Sequence, residues 1–177
     1  MNNIEDKLKR ISFLSGEDFY FLTYLILLCV KHFSSPKKHV FSDHRKLTYL
    51  MQIISNSSVV HVLIENKDKE KLNIIDKELL FDSFTKAELH KREVYKILRA
   101  LEIKGIVKLT VGKNIDVYSV QLVKSAVLDR LFETSIFEKE LNNISLVKAN
   151  FKRINSLGLD GFIKKFYSDY GLRIWAY

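Results

Sequence analysis

The chain has 177 residues, of which 47% are hydrophobic, with 12 Phe, 8 Tyr and one Pro. This composition is typical of a folded protein and excludes a long disordered linker. A net charge of +8 favours an acidic partner such as nucleic acid. The single cysteine, Cys29, excludes an intrachain disulfide and any metal site built on several cysteines.

An apolar run over residues 19–30 dominates the N-terminal segment. A membrane span needs about 20 predominantly apolar residues, so the run predicts a buried core helix rather than a membrane element. Ser15 and Asp18 resemble a capping box, which predicts a helix start near residue 16. The acidic residues next to the run argue against a signal peptide. We therefore expect a cytoplasmic protein.

Pro36 marks the clearest break in the chain, because proline ends a helix and disfavours helical geometry at the residue before it. After it, Ser42 or Asp43 can cap a second helix, whose first turn is basic. The apolar stripe of this helix is formed by Leu47, Leu50, Met51 and Ile54.

Two segments rich in β-branched residues follow, at positions 59–64 and 72–75. They flank a charged stretch and together suggest a short hairpin. A continuous apolar run could equally be a buried helix, because periodicity alone does not separate the two. The sequence leaves both structures open.

Residues 86–122 carry the clearest pattern in the chain, a helical period followed by a strand period. Val94, Ile97, Leu98 and Leu101 fall at helical spacing and share one face. Gly105 then ends the helix, because glycine takes the left-handed conformation without a steric penalty.

A β-hairpin is predicted next, because residues 106–109 and 115–120 are rich in apolar and β-branched side chains and flank a turn-like 112–114. A helix ended by glycine and followed at once by a hairpin is the second half of a winged helix-turn-helix. We expect a helix at 78–84 to lead into it and to pack on the helix from residue 92.

One face of the predicted helix is basic. With the apolar stripe inward, Arg92, Lys96 and Arg99 share the opposite face, Lys91 lies at its margin, and Lys113 lies in the wing. Residues 86–113 contain 8 Lys and Arg against 3 Glu. Such a surface suits contact with DNA phosphates. The alternative is an ordinary solvated face in which the three glutamates form ion pairs.

The C-terminal region has a helical period and ends in a segment, 162–177, with many aromatic residues. A terminus seldom carries so many unless it is packed against something. It packs either on the chain's own core or on a partner subunit, since aromatic residues and Arg dominate interface hot spots. The candidate interface residues are Phe162, Phe166, Tyr170, Trp175 and Tyr177.

These patterns predict a mainly α fold of the α+β type in three regions. A helical N-terminal region covers 1–75, a winged helix-turn-helix covers 76–123, and a helical region covers 124–177, all packed as one compact unit. The sequence has no glycine-rich phosphate loop, nucleophile elbow or His-Glu-x-x-His motif. We therefore expect a protein that is not an enzyme and needs no cofactor or metal.

The order of the segments FLTYLILLCVKHF, SDHRKLTYLMQII and KREVYKILRALEIKGIVKL resembles the middle component of bacterial ABC three-component defence systems, of which Lamassu-type systems are the best known. The resemblance covers residues 17–122. It implies a non-catalytic subunit that bridges an SMC-like ATPase and a nuclease effector in a complex directed against phage or plasmid DNA. The residues alone leave two alternatives, a free-standing regulator dimerised by its C-terminal helices and a small nuclease.

Overall fold

The computed structural model describes residues 19–67, 72–112, 115–124, 126–133 and 135–174. Within these ranges the chain is mainly helical and has a small antiparallel sheet, as the sequence predicts. The helices are α1 (Phe19–Phe33), α2 (Lys46–Ser55), α3 (Ser57–Glu65), α4 (Ile74–Ile103), α5 (Ala126–Phe132), α6 (Glu138–Asn150) and α7 (Leu159–Phe166), and the strands are β1 (Val40–Phe41), β2 (Val107–Val111) and β3 (Tyr118–Leu122).

Helix α1 is a core helix, as its apolar run predicts. Leu25, Ile26, Leu28 and Cys29 are each at most 1% exposed. The predicted capping box at Ser15 lies outside the described residues. Among the described residues no single helix is long and apolar enough to cross a membrane; α2 and α3 reach that length and composition only as a pair, bent by 98°.

Residues 59–64 lie in helix α3, as the helical alternative predicts, and residues 74 and 75 begin helix α4, so the hairpin suggested for 59–64 and 72–75 is wrong. Asn56 caps α3, with its side-chain oxygen accepting hydrogen bonds from the N–H groups of Ser58 and Val59 at 3.0 and 3.4 Å. Asn73 caps α4 in the same way through the N–H of Asp76, at 2.7 Å. Each cap satisfies N–H groups that a helix start would otherwise leave unpaired, which outweighs the strand preference of the valines.

Helix α4 runs without a break through the region where two packed helices were expected. The predicted helix at 78–84 and the one from residue 92 are parts of this one helix, so they cannot pack on each other. The connecting residues include Lys86, Ala87, Glu88 and Leu89, which favour helix, and contain no Gly or Pro. The helix-turn-helix prediction for 76–123 is therefore corrected: no turn separates the two segments. Instead, α2 packs across α4.

The end of α4 and the hairpin after it follow the sequence prediction. Gly105 has φ of +68°. The N–H of Gly105 donates to the carbonyl of Glu102, and the N–H of Ile106 to that of Leu101, both at 2.9 Å. This is a Schellman motif, which satisfies the last free carbonyls of the helix and turns the chain directly into β2.

The sheet has the strand order β1–β3–β2, with all neighbours antiparallel. Phe41 pairs with Val120, and Val120 pairs with Leu109, so these three side chains share the face that covers the helical core. Because side chains alternate along a strand, Lys108 and its partner Gln121 lie on the opposite face. The short strand β1 has no clear sequence signal.

The loop 153–157 joins the C-terminal region to the start of α2. The fully buried Lys46 places its Nζ 2.7–3.2 Å from the carbonyl oxygens of Ile154, Asn155 and Leu157, and 3.3 Å from the hydroxyl of Ser42. Burial lowers the pKa of Lys46 to about 8. The buried cation is stabilised because oxygen acceptors surround it.

The C-terminal aromatic residues fill the chain's own core. Phe162 and Phe166 are fully buried, and Tyr170 is 4% exposed and donates a hydrogen bond to the carbonyl of Leu63 at 2.6 Å. This corrects the expectation of a partner interface for these three side chains, because no surface of them is left for a partner. Trp175 and Tyr177 lie outside the described residues.

Candidate nucleic-acid interface

The C-terminal half of α4, residues 91–103, is positioned by its buried stripe. Val94, Ile97, Leu98 and Leu101 are at most 5% exposed, as predicted. Fixing these side chains inward turns the opposite face of the helix outward. All four basic residues predicted there are exposed: Lys91, Arg92, Lys96 and Arg99. The fifth, Lys113, lies outside the described residues.

The exposed cations differ in their acidic partners. Lys91 pairs with Glu88 at 2.7 Å, and its Nζ lies 5.7 Å from the centre of the Tyr49 ring. Arg99 pairs with Glu102 at 2.6 Å. Within the described ranges neither Arg92 nor Lys96 forms a salt bridge. These two side chains therefore have the charge most available to a ligand phosphate.

Glu102 holds the hairpin against the last turn of α4. One carboxylate oxygen accepts from Arg99, and the other accepts from the N–H of Leu109 in β2 at 3.2 Å. A single side chain thus fixes both a basic residue and the first wing strand. Lys108, exposed on β2, adds a further cation that the sequence prediction did not include.

Three aromatic rings meet where α4, β3 and the start of α2 come together. The ring of Tyr118 lies 5.3 Å from His44 and 6.1 Å from Tyr95, centre to centre. His44 Nδ1 accepts the N–H of Tyr118 at 3.1 Å, and the N–H of His44 donates to the Tyr118 carbonyl at 2.9 Å. Both bonds join the start of α2 to the wing.

Burial lowers the pKa of His44, which therefore accepts at Nδ1 as a neutral ring with its proton on Nε2. The hydroxyl of Tyr95 raises the pKa of Tyr118 by hydrogen bonding. Tyr95 is 40% exposed, between Arg92 and Lys96 along the helix. A partly exposed aromatic ring among cations can stack on a base or sugar while the cations hold phosphates.

The N-terminal half of α4, residues 74–90, presents a different surface. Its exposed apolar side chains are Ile74, Ile75, Phe81 and Leu89, which are 57–77% exposed. Residues 74–90 carry two lysines against four acidic residues, whereas 91–104 carry five basic residues against two acidic ones. This apolar surface was not predicted from the sequence. Its signal was the set of apolar residues that do not fit the buried stripe through Leu80 and Ala87.

Comparison of the chain with protein-family models, with curated proteins and with solved structures gave no match. What the chain can do therefore follows from the charge, exposure and packing of the residues described above. Those residues form two exposed surfaces on one helix, one basic and aromatic, the other acidic and apolar.

Proposed function

We propose that the chain is a non-catalytic accessory subunit that contacts double-stranded DNA through the C-terminal half of α4 and the β2–β3 hairpin. The observation that carries this proposal is the exposed pair Arg92 and Lys96, which have no acidic partner among the described residues and lie on the helix half that continues into the hairpin. Lys and Arg side chains that neutralise phosphates release the counterions condensed on DNA, and this release supplies the salt-dependent part of the affinity.

The arrangement of the sheet supports a winged-helix mode of contact. Strand β1 precedes α2, α3 and α4, and the hairpin follows α4 directly, with the strand order β1–β3–β2. In this mode the C-terminal half of α4 enters the major groove, which is about 12 Å wide and admits one helix. Arg92 to Arg99 spans about 10 Å of the helix axis, and their shared face presents these side chains together to the DNA.

The partners in this proposal are an SMC-like ATPase and a nuclease effector, as the resemblance to defence-system middle components implies. The acidic and apolar half of α4 is the surface we assign to them, because several large apolar side chains exposed together are typical of protein interfaces. Phe162, Phe166 and Tyr170 are buried in the chain's own core and are therefore not part of this surface.

The test compares two double variants on the same helix. Arg92→Glu with Lys96→Glu should lower affinity for a duplex at least about tenfold, and should reduce the slope of log affinity against log salt by about 2, since each phosphate contact contributes roughly 0.9. Phe81→Asp with Leu89→Asp should leave DNA affinity within about twofold. It should instead abolish co-purification of the ATPase and effector from nuclease-treated extracts of the native host.

Lys37→Glu with Lys164→Glu is the charge control, because it makes the same change in net charge at two exposed lysines outside α4. Equal loss of DNA affinity in this control and in the Arg92 and Lys96 variant would contradict the proposal. Tight binding of one particular duplex by the purified chain, with no protein partners recovered, would identify a regulator instead.

A further inference from the structure

A cavity of about 540 Å³ lies on the outer face of the sheet, away from α4. It is bounded by the end of α1, by the paired residues Lys108 and Gln121 of β2 and β3, and by α5. Ligand-binding pockets have volumes of roughly 300–1,000 Å³. No residue of α4 lines the cavity, although it shares Lys108 with the hairpin part of the DNA surface.

The charged lining of this cavity is mostly basic. Lys31, Lys108 and Lys124 line it, against a single carboxylate, Asp129. In the part of the chain that the structure describes, none of these four side chains forms a salt bridge. Three lysines, one in α1, one in β2 and one in the loop after β3, therefore line the same cavity, which carries an excess of positive charge.

The base of the cavity is apolar. Val30 and Leu128 are 1% and 5% exposed, and Phe132 is half-buried beside them. The Nζ of Lys31 lies 3.8 Å from the centre of the Phe132 ring. This contact holds the ammonium group at the wall, where cation and ring attract each other. Cations at the rim and an apolar base suit a ligand with an anionic head and an apolar body.

We propose that this cavity binds a small phosphomonoester. The phosphate contacts Lys31, Lys108 and Lys124, and the apolar or aromatic body packs on Leu128 and Phe132. A phosphomonoester carries a charge of about −1.5 to −2 at pH 7, which matches three lysines less one carboxylate. A ligand with a single carboxylate would leave part of this charge unbalanced.

The test is calorimetric titration of the purified full chain with AMP. Adenosine supplies the body without the phosphate, inorganic phosphate supplies the anion without the body, and phenyl phosphate supplies the smallest complete ligand. AMP or phenyl phosphate should bind about tenfold more tightly, or better, than adenosine and inorganic phosphate, a free-energy difference of about 1.4 kcal/mol. Similar affinities for all four compounds would overturn the proposal.

Two variants locate the binding. Lys31→Ala with Lys124→Ala should lower the affinity for AMP at least about tenfold. Lys37→Ala with Lys38→Ala, in an exposed loop outside the cavity, should leave it unchanged. Val123→Trp, which fills the mouth without changing charge, should also abolish binding. AMP affinity that survives both cavity variants would overturn the proposal. The Arg92→Glu and Lys96→Glu variant should bind AMP normally, so this proposal and the DNA proposal fail independently.

Discussion

The two halves of α4 share one buried stripe but differ on the outside. Residues 74–90 expose apolar side chains among acidic residues, whereas 91–103 expose unpaired cations beside an aromatic ring. The inward face decides that the helix forms and how it packs. The outward face contributes little to folding, so its chemistry is free to serve two different partners on one rigid element.

Different parts of the fold hold the two halves. In the first half, Ser83 lies 3.4 Å from the hydroxyl of Tyr167, and the Phe84 ring meets the Tyr167 ring edge-on at 5.3 Å. In the second half, Glu102 bonds to β2, and Tyr95 contacts Tyr118 of β3. The first half is therefore fixed by the C-terminal region, and the second half by the sheet.

Continuity of the helix is what joins these two surfaces, and Leu89→Pro should break it. Leu89 is 72% exposed, so the substitution acts through the backbone. Proline removes one helical hydrogen bond and clashes with the carbonyl of residue 85, which costs about 3 kcal/mol or more. Chemical denaturation followed by circular dichroism measures this loss.

Leu89→Ala is the matched control and should change stability by no more than about 0.5 kcal/mol. The helix-turn-helix predicted from sequence would have tolerated proline in a turn at this position. A Leu89→Pro protein as stable as the Leu89→Ala protein would therefore contradict a continuous α4 and the coupling between its halves.

The features predicted correctly from sequence depend on neighbours along the chain. The Val94–Leu101 stripe, the left-handed Gly105 and the two strands of the hairpin each follow from periodicity or from one residue's backbone preference. The wrong prediction of a hairpin at residues 59–64 and 72–75 could also have been corrected from neighbouring residues. Asn56 and Asn73 are standard N-cap residues, and reading them as caps would have replaced the suggested hairpin with two helix starts.

Other features depend on contacts between residues that are far apart in the sequence. Exposure of Arg92 and Lys96 follows from the stripe, but the pairing of Glu102 with the N–H of Leu109 requires the hairpin to fold back. The ring cluster joins His44 to Tyr118, which lies 74 positions away. Burial of Phe162 likewise requires the C-terminal region to reach Tyr49 in α2. The spacing of residues along the chain does not predict these contacts.

The contact of the start of α2 with the wing and the C-terminal half of α4 should depend on pH through His44. Burial lowers its pKa in the folded chain, so the unfolded chain takes up the proton first as pH falls below 6.5. Folding stability should therefore fall on acidification from pH 6.5 and level off below the folded-state pKa. Urea denaturation across pH 5 to 8 measures this slope.

His44→Asn supplies the comparison, because its side-chain oxygen can accept the N–H of Tyr118 but does not titrate. The variant should lose part of the acid dependence while its stability at pH 7.5 falls by about 1 kcal/mol at most. Burial also lowers the pKa of His32. Because both proteins contain His32, its effect on the pH dependence of stability is the same in each. Identical slopes in the two proteins would mean that His44 does not control this contact.

The smallest effect should come from Glu102→Gln, which separates the two roles of that side chain. The amide oxygen can still accept the N–H of Leu109, but the negative charge beside Arg99 is gone. Arg99 would then be as available to phosphate as Arg92, so duplex affinity should rise by about two- to threefold at about 0.1 M salt, which corresponds to a fraction of a kcal/mol for an exposed ion pair.

Glu78→Gln makes the same change on the exposed acidic half of α4. It should alter duplex affinity less than Glu102→Gln, because Glu78 lies about 36 Å along the helix from residue 102, well beyond the Debye length of about 10 Å at 0.1 M salt. Fluorescence anisotropy with a labelled duplex resolves the two cases. An equal gain from both substitutions would show that DNA responds to the net charge of the chain and does not distinguish the halves of α4.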